Sequence, residues 1–254
     1  MPAEGGDLGV PGDGPEVSEK NRLRPWRSER FCIAESDRAR FVAQMEQVLD
    51  AYHGEYDETH PLIAMDEAAK EVHADVEPAL PVAPGRTRRE DHHYRREGVQ
   101  AVFCFFDPIR GWRRVSCRDS RTRVDWACEV RRLLEEDYPR AEVVTVVCDN
   151  LNTHHIGSLY AAFDAAAAHR LARRLRLVHT PRNGSWLNVA EMELSVLTRQ
   201  CIGRRFGSIA AMVDAIGQWQ EQRNRAGVGA DWRLTTADAR IKLRGLYPVP
   251  DING

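Results

Sequence analysis

The sequence predicts an α/β fold in which a mixed sheet is flanked by helices. Three apolar, strand-like runs come first, at residues 62–66, 99–106 and 112–117, and helical and strand-like segments then alternate. The run at 142–148 is nearly all β-branched, which is typical of a strand that is buried on both faces of a parallel or mixed sheet. This order favours a single sheet covered by helices.

The composition excludes a membrane protein and a wholly disordered chain. The 254 residues are 43% hydrophobic and 29% charged, which is enough apolar material for a sizeable core. The longest apolar runs, 101–106 and 143–148, are far shorter than the roughly 20 residues that span a bilayer. The acidic, Gly- and Pro-rich N-terminus does not resemble an export signal. Since the six cysteines are dispersed, we expect reduced thiols in a cytoplasmic protein.

We divide the chain into four predicted segments. Residues 1–24 lack periodicity and predict a disordered tail, 25–60 form a helical linker, 61–225 form the main domain and 226–254 form a C-terminal tail. Within the linker, apolar side chains recur at helical spacing between a predicted N-cap at Ser36 and a stop at Gly54. These side chains belong to Phe41, Met45, Val48, Leu49 and Tyr52.

The main domain is predicted to begin with the three strands, of which the last two form a hairpin. The elements predicted after them are a helix at 121–138, a strand at 142–148, a helix at 156–169, a strand at 175–179, and helices from about Asn188 and from Ser208. This is the element order of an RNase H-like sheet, although it also suits several other α/β folds.

Two of the predicted strands end in acids. Asp66 follows the run LIAM, and Asp149 follows VVTVVC. In open α/β sheets ligands collect at the carboxyl ends of strands, so these two carboxylates could converge; alternatively, each simply caps a strand and starts a turn. Glu191 supplies a third acid, because it falls in the first turn of the helix predicted from Asn188.

Two strand acids and one helix acid can hold two divalent cations about 3.5 to 4 Å apart. Mg²⁺ suits such a site because it prefers oxygen ligands and keeps several waters. Glu193 competes with Glu191 for this role. Helical geometry turns Glu193 about 200° away from Glu191, whereas Asn188 shares the face of Glu191. Glu191 is therefore the predicted ligand, and Glu193 is a solvated or salt-bridged helix acid.

Residues 86–132 carry thirteen arginines and seven acids, and they predict a basic surface that attracts phosphate backbones. This enrichment is weak support for DNA binding, because the whole chain has 33 Arg and only 3 Lys. His154, five residues after Asp149, could orient water or phosphate near the acids or cap the helix that follows.

Several motifs together resemble a known family. The segment DNLNTH begins at Asp149, and the segment HTPRNGSWLNVAE ends at Glu191. Further matches are Trp219, Arg223 with Asn224, and the run Leu246-Tyr247-Pro248. The chain resembles the DDE transposases of bacterial insertion sequences of the IS six-thirty type, which are related to mariner elements.

The resemblance implies that 61–225 is an RNase H-like catalytic domain that uses two Mg²⁺ or Mn²⁺ ions. Its catalytic and metal-binding residues would be Asp66, Asp149 and Glu191, with Asn150, Asn152, His154 and Asn188 near the site. The implied reaction is metal-dependent cleavage of a DNA strand, followed by attack of the freed 3′ hydroxyl on target DNA. The implied partner is therefore DNA, at the element ends and at the target, and no membrane is involved.

The sequence also departs from this family. Arg182 and Asn183 stand where Lys and His are usual, and residues 91–94 replace an acidic, aromatic stretch. Only about 60 residues precede Asp66, too few for the family's helix-turn-helix domains. We therefore expect a homodimer in a synaptic complex or assembly with a separately encoded DNA-binding part. The alternatives are an inactive truncated remnant, an interfering partner of a full-length transposase or, third, another RNase H-like nuclease such as a resolvase.

Overall fold

The computed structural model describes residues 37–77, 80–87, 89 and 92–249. Its five strands are β1 (Leu62–Asp75), β2 (Tyr94–Asp107), β3 (Trp112–Arg118), β4 (Val144–Cys148) and β5 (Leu175–His179). They form one sheet in the order β3-β2-β1-β4-β5, antiparallel from β3 to β1 and parallel from β1 to β5. The predicted RNase H-like mixed sheet is confirmed.

Helices lie on both faces of this sheet. Those of the described residues are α1 (Arg38–Tyr52), α2 (Arg123–Arg132), α3 (Gly157–Ala162), α4 (Ala165–Arg173), α5 (Val189–Leu197), α6 (Ile209–Arg225) and α7 (Thr236–Lys242). A π-helical turn continues α2 and another continues α5, and a 3₁₀ turn, Ser185–Leu187, precedes α5. Within the described part of the chain, none of the helices has the length and apolarity to cross a bilayer.

Alternate side chains of β1 point to opposite faces of the sheet, and different helices cover these two faces. Ile63 and Met65 join Phe103, Phe105 and Trp126 in the main core, beneath α2, α3 and α4. Asp66 pairs with Cys104 of β2, one residue out of phase with that core set. It therefore belongs to the other face, where α5 contacts β1 and β2.

β1 is much longer than the predicted strand at 62–66. It runs for 14 residues, and Asp66 is its fifth residue rather than its end. The second half of β1 is rich in charge, but it pairs with β2 as far as Asp75. Backbone hydrogen bonds to β2 therefore extend β1 through a segment without apolar alternation.

Two of the predicted helices also differ from those in the structure. The alanine-rich helix at 156–169 is two helices, because the chain breaks at Phe163 and the Asp164 side chain caps α4 by accepting from the Ala167 amide. The helix at 121–138 is α-helical only to Arg132 and then continues as the π turn. Asp37 caps α1; the predicted cap Ser36, the predicted tail 1–24 and Cys32 lie outside the described residues.

The segment predicted as a C-terminal tail contains α7, which packs against α1. Arg240 Nε lies 2.8 Å from Glu46 Oε1, and the Trp232 ring lies 5.1 Å from the Tyr52 ring. The hydroxyl of Tyr247 also donates to Glu46. These contacts tie the described C-terminal residues to the helix that precedes the sheet.

Two arginines of β3 lie in the interior rather than on a DNA-facing surface. Arg113 is fully buried and pairs with Glu193 on one face of the sheet. Arg114, also buried, pairs with Glu129 and Asp137 on the other face. The predicted basic surface at 86–132 is therefore smaller than the arginine count indicates.

Candidate active site

The parallel register of β1 and β4 places Asp66 and Asp149 side by side along the strand direction. The last residue pair of the two strands joins Ala64 to Val147, and each acid lies two residues beyond its member of that pair. Because β4 ends at Cys148, Asp149 leaves the sheet beside a strand that continues. Asp66 and Asp149 thus lie near each other at the carboxyl end of β4, although Asp66 is in the middle of β1 and does not end a strand as predicted.

Glu191 is brought to the same end of the sheet by the start of α5. A tight turn over 181–184 comes first, closed by a hydrogen bond from the Gly184 amide to the Pro181 carbonyl. A Cβ at Gly184 would lie 2.6 Å from Pro181 Cγ, so this turn requires glycine. Asn188 then caps α5 through the Ala190 amide, and its Nδ2 donates to the Met65 carbonyl at 3.1 Å. α5 is therefore anchored one residue before Asp66.

The electrostatics of Asp66 reflect this crowding. Burial raises the pKa of Asp66, the hydrogen bond from the Glu67 amide lowers it, and the charges of Asp149, Glu67 and Glu191 raise it further, to about 7. The cost of ionising Asp66 falls if a cation lies nearby. Glu191 itself is exposed on the first turn of α5.

The acids influence one another without forming a complete metal cage. Among the described residues, no group of three or more His, Cys, Asp or Glu is arranged so that it could hold a metal ion. The side chain of Asp149 is 41% exposed, and Glu191 is also exposed, so both have room to change rotamer.

His154 contacts Asp149 directly. Its Nδ1 lies 2.6 Å from Asp149 Oδ1, and its Nε2 lies 3.1 Å from Glu67 Oε2. Burial alone lowers the pKa of His154, but its contacts with Asp149, Cys148 and Glu67 raise the pKa overall, to about 12. These contacts therefore favour the protonated form of the buried His154 beside the candidate site. Sequence reasoning pointed to His154 but missed Glu67.

Glu193 is a structural acid. It is 4% exposed, and its Oε1 lies 2.8 Å from Arg113 Nε and 2.9 Å from Arg223 Nε. The turn of α5 thus directs Glu193 into a buried ion pair and leaves Glu191 exposed. Of its two readings, the salt-bridged one holds and the solvated one is wrong, because α6 covers Glu193 with Arg223.

A cleft opens beside Asp149. It has a cavity volume of about 570 Å³ and is lined by Asp149, Asn150, the loop 180–185 and Arg40 of α1. Arg40 and Arg182 are both exposed here. Sequence reasoning missed Arg40, because it is more than one hundred residues away from Asp149 in the chain.

Four further polar residues lie on the surface and do not line this cleft. They are Asn152, His155, His92 and His93.

The raised pKa of Asp66 predicts a pH-dependent stability. The pKa is about 7 in the folded protein and about 3.9 in an unfolded chain, so this proton stabilises the fold at low pH, and the contribution is lost as pH rises from about 4 to 7. We expect metal-free Asp66→Asn to melt several degrees above wild type at pH 8, with a smaller difference near pH 4.5. Thermal unfolding in EDTA measures this. A variant that is no more stable than wild type at pH 8 would contradict it.

The fold and the three carboxylates define an RNase H-like domain with an acidic site at the end of its parallel strands. Residues 61–213, more than half of the chain, match the family model described as DDE superfamily endonuclease. The chain belongs to this family. No curated protein matches it in sequence.

Solved structures show the same fold at low sequence identity. The crystal structure of the Mos1 mariner paired end complex with Mn aligns with a TM-score of 0.53 at 15% identity, over 84% of this chain and 66% of that chain. The Mos1 transposase paired-end complex with left transposon end aligns with a TM-score of 0.52 at 13% identity, with the same coverage. This chain thus spans just under two thirds of those chains.

Proposed function

We propose that this protein is the catalytic domain of a DNA transposase that cleaves phosphodiester bonds and transfers DNA strands. One observation carries the proposal: Asp66, Asp149 and the start of α5 with Glu191 meet at one end of an RNase H-like sheet. Membership of the DDE superfamily endonuclease family supports it. The Mos1 paired-end complexes, one of them with the left transposon end, share this fold and support DNA as the partner.

The donor set fits divalent metal ions. It consists of hard carboxylate oxygens, the ligands that Mg²⁺ and Mn²⁺ prefer, and the repulsion that raises the pKa of Asp66 is the kind that a cation relieves. Asp66, Asp149 and Glu191 would hold two such ions. When bound, the ions would activate water and stabilise the leaving oxygen of the phosphodiester.

Asn188 positions the helix that carries Glu191, and other residues line the cleft beside Asp149. Asn188 fixes the first turn of α5 to β1, so Glu191 starts from a defined position beside Asp66. Asn150 lines the cleft next to Asp149. Arg40 and Arg182 place positive charge in the same cleft, where they would bind the phosphates of a DNA strand.

The finer assignment rests on the motifs. The segments DNLNTH and GSWLNVAE support an insertion-sequence transposase of the IS six-thirty type. In this role the protein would act on DNA as a homodimer in a synaptic complex or in assembly with a separately encoded DNA-binding part.

A nicking assay tests the proposed function. Supercoiled plasmid that carries candidate element ends is incubated with the protein joined to a DNA-binding module. We expect nicked product with Mg²⁺ or Mn²⁺ and none in EDTA. Metal-independent nicking would overturn the proposed chemistry. DNA binding without nicking in either metal would instead favour the inactive remnant or interfering partner.

The cleft predicts weak, salt-dependent DNA binding through Arg40 and Arg182. Non-specific binding is expected at roughly 10⁻⁴ to 10⁻⁶ M near physiological salt. The logarithm of the binding constant falls with the logarithm of the salt concentration, and each phosphate contact makes this slope steeper by about 0.9. The double variant Arg40→Ala/Arg182→Ala should therefore make the slope shallower by about 2. Fluorescence anisotropy at several salt concentrations measures it.

The matched control is Arg173→Ala/Arg225→Ala, which removes two exposed arginines that do not line the cleft. The control should change the slope less than the cleft variant does. An equal change would show that DNA does not follow this cleft.

A further inference from the structure

We propose that Glu67 and His154 form a positioning pair that fixes the carboxylate of Asp149 for metal binding. This inference rests on the proposed function, because it takes Asp149 to be a metal ligand. It assigns a role to Glu67, an acid that sits directly after Asp66 but points to the opposite face of β1.

Glu67 is buried in a place where a carboxylate is costly. Its side chain is 3% exposed. Strand alternation puts it in line with Met65 and opposite Phe103 of β2, both of which belong to the main core. An ionised carboxylate in such surroundings requires a partner. In the described part of the chain, the ion pair that its side chain makes is with His154.

Both the ring and the backbone of His154 are fixed by neighbouring residues. Its side chain is 1% exposed, and its ring stacks on Trp126 with the ring centres 5.7 Å apart. His179 Nε2 contacts the His154 carbonyl at 2.8 Å, which fixes the backbone of the loop after β4. Nε2 lies 3.1 Å from Glu67 Oε2, a close polar contact without the alignment of a hydrogen bond, since neither atom has a hydrogen-bond partner among the described residues.

Asp149 depends on this pair for its orientation. Its side chain is 41% exposed, so packing does not select its rotamer. The 2.6 Å contact from His154 Nδ1 engages Oδ1 and leaves Oδ2 as the oxygen available to a metal ion. Glu67 in turn anchors the far nitrogen of the imidazole. The order is therefore a buried carboxylate, a buried imidazole and an exposed ligand carboxylate.

A purely structural role predicts something different. If His154 only neutralises Glu67 inside the core, its loss lowers stability and leaves the affinity for metal unchanged. If the pair positions Asp149, its loss also weakens metal binding. Groups that hold metal-ligating side chains typically contribute about 10- to 100-fold to metal affinity or activity.

The experiment measures Mn²⁺ binding by electron paramagnetic resonance titration of the full chain, with thermal unfolding of every variant. We expect His154→Ala and Glu67→Gln each to weaken Mn²⁺ binding by about 10- to 100-fold. His154→Asn can place an amide N–H near the Nδ1 position, so it should recover part of the affinity. The double variant His154→Ala/Glu67→Gln should be no weaker than His154→Ala, because both act through the same contact.

The control is Asp107→Asn. Asp107 is a buried carboxylate that accepts from the amides of Ile109 and Arg110 and from the Tyr138 hydroxyl. This variant should lose stability and bind Mn²⁺ as wild type does. An equal loss of Mn²⁺ affinity in the control would overturn the positioning role.

The outcomes separate the two proposals. If the wild type fails to bind Mn²⁺, the proposed metal-dependent function fails, and the positioning role fails with it. If wild type binds Mn²⁺ and His154→Ala binds it equally well, the positioning role alone is overturned.

Discussion

Replacing Asp149 with Asn should abolish metal-dependent DNA nicking while the fold is kept. Asn retains an oxygen that can accept from His154, so the loop after β4 keeps its main contact. It lacks the charge that a divalent ion requires. Metal ions contribute several kcal/mol to such displacements, and each 1.4 kcal/mol is about tenfold in rate, so we expect a loss of at least about 1,000-fold.

The nicking assay and thermal unfolding are read together for this variant. Without metal, its melting temperature should stay close to that of the wild type, because the relief of repulsion among the crowded carboxylates offsets the loss of the negative charge 2.6 Å from His154. Asn150→Ala is the matched control: it removes an exposed neighbour in the same cleft, and its effect should be far smaller. Nicking by Asp149→Asn at the rate of the wild type would show that Asp149 is not a metal ligand.

Replacing Glu193 with Ala should destabilise the protein by about 3 to 5 kcal/mol. The change leaves Arg113 and Arg223 without their shared carboxylate, and removal of one partner from a buried ion pair has this magnitude. For a domain of this size, about 1 kcal/mol corresponds to roughly 2 to 4 °C, so the melting temperature should fall by about 10 °C. Denaturant unfolding measures the free energy.

Glu191→Gln provides the opposite outcome from the same helix. Glu191 is exposed, so stability should change by less than about 0.5 kcal/mol, and nicking should be lost. The two acids stand two residues apart in α5, so any general effect on the helix would act on both. A stable, inactive Glu193→Ala together with an active Glu191→Gln would reverse the assignment.

Local signals in the sequence predicted the elements around Glu191 well. Asn188 and Ser208 were expected to begin helices, and each caps the helix that follows by accepting from a backbone amide. Capping depends on residues within one turn, so a single sequence carries this information. The local sequence also predicted β5, whose observed bounds are the predicted ones.

Long-range pairing explains what the sequence could not show. The second half of β1 is a strand because β2 pairs with it, and its charged residues have no strand-like pattern of their own. Arg40 reaches the cleft only because α1 packs near β5. Glu67 carried a faint signal: strand alternation from Met65 directs it into the core, where an acid requires a partner.

The most direct test of the three-acid site is a structure determined with Mn²⁺, located by its anomalous scattering. We predict Mn²⁺ between Asp66 and Asp149, with a Glu191 carboxylate oxygen also bound and His154 still in contact with Asp149. Mn²⁺ bound at other residues under the same conditions, or Glu191 directed away from an ion held by the two aspartates, would contradict the site proposed for this protein.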